Sequence, residues 1–164
     1  MPRVLLALLL AAPALAQTAW DKVTLSQEFT CEGAAIGDLD HDGHADVVAG
    51  PWWYAGPEFT ERHALYAAHA FDPHGYSDAF FAWTYDVDQD QALDVVVVGF
   101  PGKEAHWLRN PGVTAAKREG AWERHLAFSS GDNESPAFVD LVGDDQPELV
   151  FHAGGRLGWA PPDP

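Results

Sequence analysis

Asp38, Asp40, Asp42 and Asp46 stand in the pattern Asp-x-Asp-x-Asp-Gly-x-x-Asp, which sets four carboxylates within nine residues. That spacing suits a hard divalent cation. Calcium takes about six to eight oxygens at about 2.3–2.6 Å, and a tight acidic loop can offer them from side chains and from one backbone carbonyl. Here the carbonyl position, the seventh, belongs to His44, and Gly43 sits where the turn needs positive φ. An EF-hand opens in the same way but needs a Glu at the twelfth position and flanking helices. The twelfth residue here is Ala49, inside an apolar run, so an EF-hand is excluded.

The loop recurs. Tyr85-Asp-Val-Asp-Gln-Asp-Gln-Ala-Leu-Asp94 repeats it with Asp86, Asp88, Asp90 and Asp94, the Ala92 carbonyl at the seventh position and Gln91 where glycine stood. Gln91 should strain that turn. A third copy, Val139-Asp-Leu-Val-Gly-Asp-Asp-Gln-Pro-Glu148, keeps Asp140, Asp144 and Glu148 but has Val142 at the third position. Asp145, in the glycine position there, tolerates a left-handed backbone better than most residues. The expected order of cation affinity is loop one, loop two, loop three. The alternative is three acidic turns that hold no metal.

The elements that must carry these loops repeat with them. The first Asp residues lie 48 and then 54 positions apart. Upstream of each loop run Trp20-Asp-Lys-Val-Thr-Leu25, Thr60-Glu-Arg-His-Ala-Leu65 and Trp122-Glu-Arg-His-Leu-Ala127, and downstream come Trp53, Trp107 and Trp159. Short apolar runs bounded by Gly and Pro predict strands, and Asp94-Val-Val-Val-Val reads as a strand buried on both faces. Each unit predicts four antiparallel strands: one before the loop, one after it, one with the late Trp, and one with the Trp-x-x-His pattern. His63 and His125 recur at matching positions and read as packing residues, as do the tryptophans. A four-stranded repeat of about 50 residues predicts an all-β fold of β-propeller blades, spanning 33–65, 77–127 and 135–164.

These units resemble the FG-GAP/VCBS repeats of integrin-like β-propellers and exported bacterial proteins. The resemblance covers about residues 20–160 and includes the Trp107-Leu-Arg-Asn-Pro-Gly112 punctuation. It implies that the loops bind Ca2+ and fasten blades. It also implies a ring of about seven blades, so that three units would be part of a larger propeller. On that reading the chain is a fragment continuing beyond Pro164, with assembly of several copies as the alternative.

Bulk properties narrow the setting. Arg3, the apolar run Val4–Ala12 and Ala14-Leu15-Ala16 read as a signal peptide over 1–16. Its nine apolar residues are too few to cross a bilayer, which needs about 20. Residues 17–164 would then form a secreted or periplasmic protein with no membrane span. The net charge of −16 disfavours nucleic acid and anionic lipid, which bind through Lys and Arg. Cys31 is the single cysteine, so no internal disulfide forms; it reads as a small core residue.

In the family, the strand before each loop is innermost, so the segments leading into those strands would meet at the channel mouth. They contribute Glu32, then Asp72, His74, Tyr76 and Asp78 from an insertion peculiar to the second unit, then Asp132, Asn133 and Glu134. The expected function is a non-catalytic module that binds an extracytoplasmic glycan or protein. The alternative is a carbohydrate-active lyase or dehydratase working through His74 and Glu134. A further alternative is that these polar loops cap strands and bond to their own backbone.

Overall fold

The computed structural model describes residues 20–116, 121–132 and 134–162; the signal-peptide reading falls outside them. The fold is all-β, with a single four-residue helical turn among the described residues, α1 (Val113–Ala116). No helix among the described residues is long and apolar enough to cross a membrane. Among the described residues, eleven strands form three antiparallel sheets. Sheet one joins β1 (Ala34–Gly37), β2 (Asp46–Ala49), β3 (Trp52–Tyr54) and β4 (Arg62–Ala64) in chain order. Sheet two repeats the order with β5 (Phe81–Tyr85), β6 (Asp94–Val98), β7 (Lys103–Arg109) and β8 (Glu123–Gly131). Sheet three has β9 (Ala137–Val139), β10 (Glu148–Ala153) and β11 (Arg156–Ala160).

The register repeats to the residue. Val48 pairs with Trp53 and Trp53 with His63; Val96 pairs with Trp107 and Trp107 with His125; Val150 pairs with Trp159. The Trp53 ring lies against His63 at 4.5 Å between centroids, and Trp107 stacks on His125 at 4.3 Å. Both histidines therefore act as flat packing surfaces for the tryptophan on the neighbouring strand.

Strand geometry sends successive side chains to opposite faces, and β6 uses both. Val95 and Val97 face sheet one and join Leu39, Val48, Trp53, Leu65 and Trp122 in one core. Val96 and Val98 face sheet three and join Leu149, with Trp83, Phe128, Phe138 and Phe151 packed around them. This explains why the valine run has no polar alternation, and it places sheet two between the other two. The first strands of sheets one and two approach closely. A Cβ on Gly33 would stand 2.6 Å from the Phe80 carbonyl oxygen, so only glycine fits there. Beside it, Thr84 Oγ1 donates to the Ile36 carbonyl at 2.7 Å.

Candidate metal centre

Each acidic loop links the first two strands of its sheet, β1–β2, β5–β6 or β9–β10. The three share one backbone conformation. The fourth position has positive φ in each, at His41 (56°), Gln89 (59°) and Gly143 (82°). The sixth does too, at Gly43 (89°), Gln91 (75°) and Asp145 (69°). Gln91 thus holds the left-handed conformation that favours glycine, which is strained for a side chain of its kind.

The first and ninth carboxylates build this shape. Asp38 accepts from the amides of Asp42 (3.1 Å) and Gly43 (3.0 Å), Asp86 from those of Asp90 and Gln91 (both 2.9 Å), and Asp140 from those of Asp144 (3.2 Å) and Asp145 (3.1 Å). At the ninth position Asp46, Asp94 and Glu148 are fully buried and accept from the second residue of the loop, Leu39, Val87 and Leu141, at 2.7–2.9 Å. Asp46 and Asp94 also accept from Gly56 (2.9 Å) and Asn110 (2.8 Å), just beyond the third strand. Burial pushes the Asp46 carboxyl up and raises Asp94 to about 6, against the lowering effect of these amide bonds.

Asp38, Asp40 and Asp42 bring one oxygen each within 4.8 Å of one another, as do Asp86, Asp88 and Asp94. That spread matches ligands sharing one ion at calcium distances of about 2.3–2.6 Å. In loop two the fit extends to an orphaned atom. Asp88 Oδ1 is buried and has no hydrogen-bond partner, while its other oxygen lies 2.5 Å from Arg109 Nε. Arg109 also reaches Asp90 Oδ2 at 3.4 Å. One side of the Asp88 carboxylate is thus anchored and the other accepts no hydrogen bond. Loop three forms no such group among the described residues; Asp140 is committed to backbone amides and Val142 is exposed.

No family model, curated protein or solved structure matches the chain.

The residues expected at a channel mouth are placed as follows. Glu32 accepts from the Ser77 amide at 3.0 Å and from the Ser77 hydroxyl, which ties the first lead-in segment to the inserted one. Asp72 accepts from the His74 amide at 2.9 Å within its own turn. Tyr76 is exposed but packs beside Phe80 and Phe100. Asp132 is held by the Ser130 hydroxyl and the Gly154 amide, and Glu134 is exposed. Asn133 lies outside the described residues. Asp72 thus serves its own turn, whereas Glu32 joins two lead-in segments and Asp132 holds the turn between β10 and β11. Cys31 is half-buried against the core, and burial pushes its thiol up, opposite to the direction a nucleophile needs.

Asp78 instead lines an open cleft of about 590 Å3 with Tyr66, Lys103, Glu104, His106 and Arg124. Nothing in the sequence spacing marks this group, because β7, β8 and the segment between β4 and β5 bring it together only on folding. Arg124 pairs with Glu104, and its Nη2 lies 3.3 Å from His106 Nδ1. Burial, then Arg124, lower His106 from 6.5 to about 4, with Glu104 opposing. Since the unfolded chain binds the proton more tightly, stability falls as pH drops from 6.5 towards 4. His106→Gln should flatten this part of the curve, read as the thermal midpoint of both proteins across that window.

Proposed function

We propose that the chain is an exported, calcium-stabilised protein of β-propeller units, acting as a non-catalytic module that binds a glycan or a protein. The observation that carries the reading is the shared conformation of the three loops, with positive φ at the fourth and sixth positions and buried acids at the ninth. A turn repeated to that degree, with three carboxylates gathered in loops one and two, suits a cation site used to brace adjoining strands. In this role Asp38, Asp40, Asp42 and Asp46 hold one ion, and Asp86, Asp88, Asp90 and Asp94 a second. Loop three is the weakest candidate. The ion supplies cross-linking of strands. The protein's own groups order the loop, and Arg109 fixes the outer oxygens of loop two.

Four acids in nine residues repel one another, so removing the cation should loosen the loops. Calcium at about 100 times its dissociation constant should add about 2.7 kcal/mol for each loop filled. Thermal unfolding with and without chelator, beside calorimetric titration, should give two sites. Asp40→Asn should remove the first and Asp88→Asn the second. A midpoint indifferent to calcium in all three proteins, with no binding heat, would leave the loops as acidic turns. Ligand capture that survives His74→Ala supports a binding module; turnover lost on His74→Ala or Glu134→Gln, with folding intact, supports an enzyme.

A further inference from the structure

The cleft around His106 is built from features that the second unit has and the first lacks. Aligned on Trp53 and Trp107, β7 begins with Lys103, Glu104 and Ala105, which have no counterparts in β3. Aligned on His63 and His125, β8 runs on from Ala127 to Gly131, beyond the end of β4. These extensions carry Lys103, Glu104 and Ser129 into the lining, and the segment between β4 and β5 adds Tyr66 and Asp78. His106 and Arg124 complete it. Their counterparts in sheet one are Trp52 and Arg62, with the guanidinium carbon 4.3 Å from the centre of the indole ring. In sheet two a smaller ring with two nitrogens stands where an indole would fill the space.

The groups so gathered are held in place and only partly used. The Gly102 amide donates to the Gly131 carbonyl at 2.7 Å, and the Lys103 amide to that of Phe100 at 2.8 Å. Both bonds pin the turn between β6 and β7 at the rim. Tyr66 rests against the core between sheets one and two. Burial, then Cys31 and Asp78, push its phenol up to about 12, with Arg124 opposing, so it keeps its proton and can donate. Arg124 uses only Nη2, toward Glu104 and His106, among the described residues. The Lys103 ammonium and the Asp78 carboxylate make no hydrogen bond or ion pair among them.

The charges select the ligand. Lys103 and Arg124 balance Asp78 and Glu104, and His106, lowered to about 4, is neutral near pH 7. An anion would meet two carboxylates, and a chain of net charge −16 repels it further. The volume of about 590 Å3 falls within the range of small-molecule sites, about 300–1,000 Å3, yet such sites are mostly apolar. Among the described residues Val97 is the one aliphatic side chain in this lining, so an apolar peptide anchor finds no pocket here. Adjacent hydroxyls of a sugar ring each donate and accept. They suit a carboxylate that accepts twice beside a guanidinium that donates as a fork. We propose that the cleft binds a neutral hexose ring. The proposal rests on the reading of the chain as a binding module, and narrows its ligand to a neutral glycan taken up by the second unit.

The test follows the amide resonances of the full chain during titration with the methyl glycosides of glucose, galactose and mannose. At least one should bind saturably at millimolar concentration and shift Gly99, Gly102, Lys103 and Ser129. Asp78→Ala and Arg124→Ala, both at exposed positions, should each weaken it about tenfold with the thermal midpoint unchanged. Galacturonate should bind more weakly than methyl galactoside. Shifts centred on residues 72–76 or 132–134 would overturn the cleft and keep the glycan-binding reading. No shift with any of the three sugars would overturn the cleft, and the module reading would then stand or fall on protein capture alone. Tighter binding of galacturonate, or equal affinity in the unaltered chain and both variants, would overturn the proposal as well.

Discussion

Replacing Asp94 by alanine should cost about 2–4 kcal/mol even in calcium-free buffer, measured by denaturant unfolding at pH 8. Asp94 has no exposed surface, and its two oxygens satisfy the amides of Val87 and Asn110. Deletion leaves two donors without a partner at a place water does not reach. Hydrogen bonds to a charged acceptor contribute about 1.5–3 kcal/mol each, and the relief of desolvating the carboxylate offsets part of that sum. Asp88→Asn behaves differently. Its loss should be confined to the calcium-dependent part of the stability, because Asp88 accepts only from Arg109 at the loop's outer side. If Asp94→Ala and Asp88→Asn lose the same amount in chelator, the ninth acid is a ligand alone and has no part in ordering the turn.

Trp53→Ala should be the costlier change, about 3–5 kcal/mol. Trp53 is the largest fully buried side chain, lying in the core shared by sheets one and two with His63 packed on its ring. Truncation opens a cavity between two sheets that cannot close without moving strands. Trp159→Ala, at the same place in sheet three, should change the stability of a single copy by only about 0.5 kcal/mol, as for a surface substitution. Equal losses at the two positions would mean that sheet three is covered on its outer edge.

Much of the local architecture is legible before folding. The strands beside each loop follow from the short apolar runs. The burial of β6 on both faces follows from its unbroken valines, and the need for positive φ at Gly43 from the loop pattern. The same pattern flags Gln91 as the residue out of character. What is hidden depends on partners far apart in the chain. Arg109 lies 21 residues from Asp88 and carries no periodic signal that would point it there. The cleft around His106 draws on β6, β7 and β8 and on Tyr66 and Asp78 from the segment between β4 and β5. The acidic lead-in segments likewise find partners far along the chain, Glu32 at Ser77 and Asp132 at Gly154, which their own spacing does not announce.

The side chain of Asn110 has a consequence of another kind. It is buried, with its amide nitrogen donating to the Leu39 carbonyl in loop one (2.9 Å) and to the Leu93 carbonyl in loop two (3.0 Å), while its own backbone amide rests on Asp94. One amide group is therefore shared between two loops that are 48 residues apart. Whatever stiffens one of them lowers the entropic cost of stiffening the other. By reciprocity each must then help the other by the same factor, so ligands that stiffen the two loops should bind as a cooperative unit, and Asn110→Ala should split them into two independent events.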